Sequence, residues 1–366
     1  MTGQLTSDEV ERFVYEQEKQ ILEERLYHFS SQVYYLGKTK EKEGTLSPQK
    51  EKDLTQAIKQ CKSVQKEIDD FEVKETKKQK RKLAKEKNIN KLIANALSIQ
   101  KTGVIEANTL GFMARSMILT TMPHRKPKSN EFRRVNGNHS LYMMAPSDIG
   151  LPYGVIPRLI IAYFTTQAIR TKKREISLGH SLSEFMSELD MLPTGGRWGS
   201  ITRLKNQLTK LTHTFITSSS IYSNNSKTQN MLIVDDADIW WNPQNPEQNS
   251  MFPSKIKLGE RFFNEIVKYS VPLDMRILKA LKKSPLALDI YMFYTYRLAY
   301  LRKDTVIPYQ VLFDMFGSDY AELKKFKYKF KKATEKVCLF APEFNVQDHK
   351  SGLLMSPSKL HIPKKN

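Results

Sequence analysis

The chain has 366 residues, and 59 Lys+Arg against 39 Asp+Glu give a formal net charge of +20 and a pI near 9.6. A hydrophobic content of 40% is enough to build real cores, which excludes a wholly disordered chain, and the charge excess makes a polyanion the expected partner. No apolar run approaches the roughly 20 residues of a membrane span, and the start, MTGQLTSDEVERF, has neither a basic n-region nor an apolar h-region, so a cytoplasmic protein without membrane contact is expected.

Residues 1–100 read as a charged helical hairpin or coiled-coil region. Thr6 and Glu9 have capping-box spacing, and Leu22, Leu26, Phe29, Val33 and Leu36 repeat at alternating four and three residues until Gly37 and a polar stretch to Thr45 interrupt them. Ser47 and Pro48 restart a helix as N-cap and first-turn proline, and Leu54, Ile58, Cys61 and Ile68 continue the stripe. The two segments either pair as an antiparallel hairpin or supply a dimer contact. The stripe fades after Phe71 into KETKKQKRKLAKEK, a solvated helix or an arm along phosphates. Residues 101–138, with HRKPKSNEFRRVNGNHS, read as a basic linker.

From residue 139 two units of the same order are expected, a winged helix over 139–256 and another over 257–366, so the fold class is α+β, mainly helical. In the first, the strand SLYMMA precedes the apolar helix VIPRLIIAYFTTQAI, the strand KREISL and a helix capped by Ser181 and Glu184. The next helix places Ile201, Leu204, Leu208 and Leu211 on one face and Thr202, Arg203, Asn206, Gln207 and Lys210 on the other, side chains able to read base edges or bond phosphates. TFITSSSIY and NMLIVDDADIWW follow as its hairpin. In the second unit, Ser284 and Pro285 open the apolar helix PLALDIYMFYTYRLAY, IPYQVLFDMF is the first helix of a helix-turn-helix, Gly317-Ser318-Asp319 is its turn, and Phe344 to Leu354 is a wing. Between Tyr320 and Val337, Leu323, Phe326, Phe330, Ala333, Thr334 and Val337 share one face; Lys324, Lys325, Tyr328, Lys329, Lys331, Lys332 and Lys336 share the other, which is suited to neutralising phosphates.

LPYGVIPRLIIAYFTTQAI, GGRWGSITRLKNQLTKL, VPLDMRILKALKKSPLALDIYMFYTYRLAYL and IPYQVLFDMFGSDY, spread over residues 140 to 345, resemble the RepA family of plasmid-encoded replication initiators. The resemblance implies binding to double-stranded origin DNA at repeated iteron sites and recruitment of the host replicative helicase and host initiator protein. It also implies that a homodimer can form through the first winged helix to repress the protein's own promoter. Arg197, Ser200, Thr202, Arg203, Asn206, Gln207 and Lys210, and in the second unit Ser318, Tyr320, Lys324, Lys325, Tyr328, Lys329, Lys331 and Lys332, are the positions expected to touch DNA. The lysines position the protein on phosphates, whereas Arg203, Asn206 and Gln207 can read bases. Two units on one duplex face would sit about one helical turn, roughly 34 Å, apart. A repressor without initiator activity would use the same helices, and a scaffold or RNA-binding role for the first hundred residues is a further alternative.

No catalysis, metal or cofactor is expected. Gly37-Lys38-Thr39 lacks the upstream glycine of a P-loop, with Gln32 in its place, and the seven histidines have no close pair to hold a nicking metal. Asp235, Asp236 and Asp238 read as charges guarding a strand edge, and Cys61 and Cys338 as reduced, partly buried thiols.

Overall fold

The computed structural model describes residues 7–222, 225–317 and 320–363 and divides into two compact units, Met1–Leu92 and Ile93–Asn366. Thr6, one half of the expected first cap, lies outside the described residues.

Two helices make the first unit, α1 (Ser7–Glu43) and α2 (Pro48–Gln100), of which residues 48–92 belong to it. They run antiparallel, since Lys40 pairs with Glu51 at 3.6 Å, Arg25 with Glu67 at 3.1 Å, Lys19 with Glu72 at 2.9 Å and Lys78 with Glu11 at 3.1 Å. Ala57, Val64 and Ile68 are buried along the seam, and Tyr15 stacks on Phe71 at 5.1 Å. The expected break at Gly37 does not occur. α1 runs through it and ends before Gly44, whose φ of +71° suits a residue without a Cβ. The basic run 74–87 is helical, and every residue from 81 to 90 is exposed.

The second unit begins with the last turns of α2, where Ala96 and Ile99 are buried and Gln100 donates to the Leu339 carbonyl at 3.0 Å. Residues 101–138 are not a linker. They form β1 (Leu110–Ala114), α3 (Arg115–Leu119) and β2 (Glu131–Asn136), with Met113, Ala114, Met117 and Ile118 almost fully buried. β1 has no neighbour nearby in sequence, because its antiparallel partner is β9 (Ser270–Asp274), which is why local pattern reading passes over both. β2 pairs with β3 (His139–Met144).

Then come α4 (Val155–Thr171), β4 (Glu175–Ser177), α5 (Leu182–Glu188) and α6 (Ser200–Thr212). Ser181 caps α5 by accepting the Glu184 N–H at 3.1 Å, while the Glu184 carboxylate accepts the His180 N–H at 2.7 Å. After α6 the chain forms β5 (Phe215–Tyr222) and β6 (Asn225–Leu232), then β7 (Val234–Asp238) and β8 (Lys255–Leu258). The expected hairpin of TFITSSSIY with NMLIVDDADIWW is corrected here. Asn225–Leu232 completes a four-stranded antiparallel sheet of order β2-β3-β5-β6, and Val234–Asp238 joins a different sheet of order β4-β8-β7. Buried Ile233 separates the two strands, so one apolar run serves two sheets.

α7 (Glu260–Tyr269), β9 and α8 (Met275–Ala280) lead to α9 (Pro285–Tyr300), capped by Ser284 accepting the Ala287 N–H at 3.2 Å. α9 is buried on nearly every side, as its near-continuous apolar sequence requires. β10 (Thr305–Pro308), α10 (Tyr309–Phe316), α11 (Leu323–Phe340), β11 (Val346–His349) and β12 (Gly352–Met355) complete the chain. The three strands pair in the order β10-β12-β11. That repeats β4-β8-β7: in each case the strand between the first two helices pairs with the last strand of the group. The order helix, strand, helix, helix, strand, strand therefore occurs twice, with the β5-β6 hairpin inserted in the first copy. The whole is an α+β chain, mainly helical, and among the described residues no helix is long and apolar enough to cross a membrane.

Candidate nucleic-acid interface

The third helix of each repeat presents a polar face. In α6, Ile201, Leu204, Leu208 and Leu211 are buried, and the face left to solvent carries Thr202, Arg203, Lys205, Asn206 and Thr209. Of the residues expected on this surface, Arg197, Thr202, Arg203 and Asn206 are exposed. Thr202 additionally donates its hydroxyl to the Gly196 carbonyl at 2.9 Å, which fastens the glycine loop to the helix start.

Three expected contacts are buried instead. Ser200 is 5% exposed; its hydroxyl receives the Thr194 N–H at 2.9 Å and donates to the Leu192 carbonyl at 2.5 Å, closing the loop at the helix N-terminus. Gln207, also 5% exposed, accepts the Tyr153 N–H at 2.8 Å. Lys210 is 6% exposed with its ammonium 5.5 Å from the Tyr153 ring centroid, and burial, followed by the nearby charge of Lys126, holds its pKa below the ordinary lysine value. The cause is shared. The segment through Gly150 and Tyr153 lies over one flank of α6 and turns the solvent face toward Lys205 and Thr209. An isolated helical wheel shows Thr209 opposite the apolar stripe but carries no signal for the covering segment.

Trp198 was also missed. It is 80% exposed in the loop before α6, with the Arg197 guanidinium 5.2 Å from its ring centroid. A tryptophan this open, held between Gly196 and Gly199, offers a flat aromatic surface beside the polar face of the helix.

In α11, Phe326 and Phe330 are at most 1% exposed and anchor the helix against Phe313 and Phe316, with ring centroids 5.4 Å and 6.0 Å apart. Truncating either to alanine would cost about 3–5 kcal/mol. Lys324, Lys325, Tyr328, Lys329, Lys331 and Lys332 are exposed as expected. They are not equivalent. Lys325 pairs with Glu322 at 2.8 Å, Lys332 with Glu335 at 3.0 Å and Lys331 with Asp348 on β11 at 2.5 Å, whereas Lys324 and Lys329 form no ion pair among the described residues. Asp348 is held below the ordinary carboxylate range by Lys331 first and the Tyr309 hydroxyl second. Tyr320 is half-buried edge-on against Phe326 at 5.7 Å, serving the helix start as much as any surface, and Ser318 lies outside the described residues. α11 begins at Leu323, three residues later than the expected start at Tyr320.

Asp235, one of the three clustered acids, is bound by Arg174 at 2.5 Å, and among the described residues no group of three or more His, Cys, Asp or Glu is arranged to hold a metal ion.

Residues 151–314 match the family model described as "Plasmid encoded RepA protein". The match runs from before α4 into α10, and α11 follows its end. Two crystal structures of domains 2 and 3 of RctB superpose in part. One superposes with a TM-score of 0.45 at 10% identity, covering 67% of this chain and 99% of that one; the other gives 0.43 at 11%, covering 67% and 98%. No curated protein sequence matches.

Proposed function

From the match of residues 151–314 to the family model of plasmid-encoded RepA proteins, we propose that the chain is a replication initiator that binds repeated sites in double-stranded origin DNA through two tandem winged helices. The observation that carries the reading is the duplication itself. The two sheets have the same order, and each third helix keeps an apolar face inward and a cation-bearing face outward. In this arrangement α6 and α11 enter successive major grooves, with β7-β8 and β11-β12 as wings.

The two helices divide the work. Arg203 and Asn206 can make bidentate contacts to guanine and adenine edges, while the α11 lysines are point charges that hold the duplex without reading it. Recruitment of the host helicase and initiator belongs to the same reading, as does the absence of catalysis.

Self-association is part of the proposal, and α1 is the element suited to it. Its outward side exposes Phe13 (62%), Ile21 (56%), Tyr27 (76%), Tyr34 (63%) and Tyr35 (75%), large side chains that solvated helices rarely carry together. Two copies of α1 laid antiparallel bring Phe13 opposite Tyr35, Val14 opposite Tyr34 and Ile21 opposite Tyr27.

The deciding experiment is binding of the full chain to a duplex carrying the repeats of its own replicon, against a scrambled duplex, at several salt concentrations. Tight repeat-dependent binding that persists at moderate salt is expected; equal affinity for the two duplexes overturns the reading.

A further inference from the structure

The four-stranded sheet changes character along its covered face. At one end Met143, Ile216 and Met231 align across β3, β5 and β6 and are at most 3% exposed, as a buried sheet face requires. Two steps further Leu141, Ser218 and Gln229 align, and after two more His139, Ser220 and Lys227. A face that starts as core ends in hydroxyls, an imidazole and an ammonium.

Over this polar end sit α3 and α7, and between them and the sheet is a cavity of about 290 Å³. α3 contributes Arg115, whose guanidinium carbon stacks 4.2 Å from the Tyr269 ring centroid. Stacking uses the flat face of the guanidinium and leaves its N–H edge for an oxyanion. Lys227 enters from β6, and the hydroxyls of Ser218 and Ser220 line the floor, with His139 Nδ1 2.8 Å from the Ser220 oxygen. Among the described residues Glu265 is the one carboxylate of the lining, with one oxygen engaged by the Ser116 N–H at 3.1 Å, and the buried Ser116 hydroxyl oxygen has no hydrogen-bond partner. The local field is positive. Lys268 above all, with Lys227 and Arg115, holds the Tyr269 hydroxyl below the ordinary phenol value, and burial followed by Arg115 holds His139 below the ordinary imidazole value.

We propose that this cavity is a phosphate-binding site, in which Arg115 and Lys227 hold a phosphate oxyanion and the Ser218 and Ser220 hydroxyls donate hydrogen bonds to it. Cations with hydroxyl donors, few competing carboxylates and a concave polar floor match a compact multivalent anion and give an apolar ligand little to bury. The phosphate belongs either to a small phosphate ester or to the backbone of a nucleic acid, and neither source requires α6 or α11 to read DNA.

The test uses the full chain and the variants Arg115→Gln, Lys227→Gln and Ser220→Ala, with Lys62→Gln, exposed on α2, as the charge control. Far-UV circular dichroism and thermal unfolding without ligand establish that each is folded; Lys227 is exposed on an edge strand, so its variant keeps the test open if Arg115→Gln fails to fold. Inorganic phosphate is titrated by calorimetry, and a random-sequence duplex is titrated at several salt concentrations. Saturable phosphate binding, weakened about tenfold in Arg115→Gln and Lys227→Gln and unchanged in Lys62→Gln, supports a small phosphate ligand. Weaker duplex binding in the same variants, with a salt slope lower by about 0.9, supports a backbone phosphate. If all variants equal the wild type in both titrations, or Lys62→Gln weakens binding as much as Lys227→Gln, the site does not exist.

Discussion

Arg158 on α4 and Asp289 on α9 form a two-pronged ion pair, both contacts at 2.7 Å, with side chains 2% and 1% exposed. It joins the opening helices of the two repeats. Arg158 spends its remaining N–H groups on the carbonyls of Met122 at 2.7 Å, Pro123 at 3.2 Å and Gly154 at 2.6 Å, so none of the guanidinium's donors is left unmatched. A charge pair this dry costs much to desolvate, and it persists because every polar atom of the arginine is satisfied.

Breaking one partner should therefore be far worse than replacing both. Asp289→Ala leaves an unpaired buried guanidinium and is expected to lose about 3–5 kcal/mol in urea unfolding, whereas Arg158→Met combined with Asp289→Leu should lose clearly less. A double variant as unstable as the sum of the singles would show that the pair contributes through something other than mutual neutralisation.

Acid should weaken the same cluster in two stages. His124 Nε2 lies 2.8 Å from Asp289 Oδ2, and burial lowers the His124 pKa despite that carboxylate. A histidine depressed in the fold contributes stability present above its unfolded value, about 6.5, and lost as the pH falls below it. Burial pushes the Asp289 carboxyl up, but Arg158 and His124 outweigh it and hold the group below the ordinary range, so its contribution disappears only below about pH 4. Urea unfolding from pH 7 to 5 should show falling stability that His124→Gln flattens; an unchanged slope in that variant would assign the pH effect elsewhere.

Much of this was legible in the sequence, and what was missed has a common cause. The caps at Ser181 and Ser284, the apolar helix α9 and the hairpin β11-β12 follow from local spacing, because each is stabilised by neighbours within a few residues. β1 and β9 pair across some 160 residues, which no local period encodes. The α6 surface fails for the same reason, since Gln207 and Lys210 look polar and free on a helical wheel, and only the backbone at Tyr153 covers them. Arg158 and Asp289, each the one buried charge of an apolar helix, were the overlooked signal. A charge that a helix must bury announces a partner on another helix.

The corrected α6 face makes a residue-level prediction for DNA. Arg203→Ala and Asn206→Ala should each remove about 1–3 kcal/mol of discrimination between cognate and scrambled duplexes, because bidentate readout is lost. Lys205→Ala should weaken both duplexes alike. Gln207→Ala should change the unfolding midpoint more than either affinity, since it leaves the Tyr153 N–H without its acceptor. Competition binding with the four variants separates these cases, and a base-specific loss in Gln207→Ala would restore it to the interface.

On α11 the ion pairs rank the lysines. Among the described residues Lys324 and Lys329 have no carboxylate partner to give up on meeting a phosphate, whereas Lys331 must leave Asp348 at 2.5 Å and Lys332 must leave Glu335 at 3.0 Å. Exposed pairs are worth less than about 1 kcal/mol, so the difference is modest but measurable. Lys324→Gln and Lys329→Gln should each lower the slope of log affinity against log salt by about 0.9, and Lys331→Gln by less. Equal slopes for all three would mean that DNA displaces Asp348 without cost.

The α1 face predicts an oligomer that depends on aromatic side chains and not on DNA. Tyr27→Glu combined with Tyr35→Glu places charges within the proposed seam while leaving the inner stripe of Leu22, Leu26 and Phe29 intact, so the hairpin should stay helical by circular dichroism. Sedimentation equilibrium of the full chain should show a dimer for the wild type and a monomer for the variant. Because large apolar and aromatic side chains carry the seam, high salt should leave the wild-type dimer in place. A wild-type chain that is monomeric at every accessible concentration would leave the exposed tyrosines to a different partner and remove self-association from the proposed function.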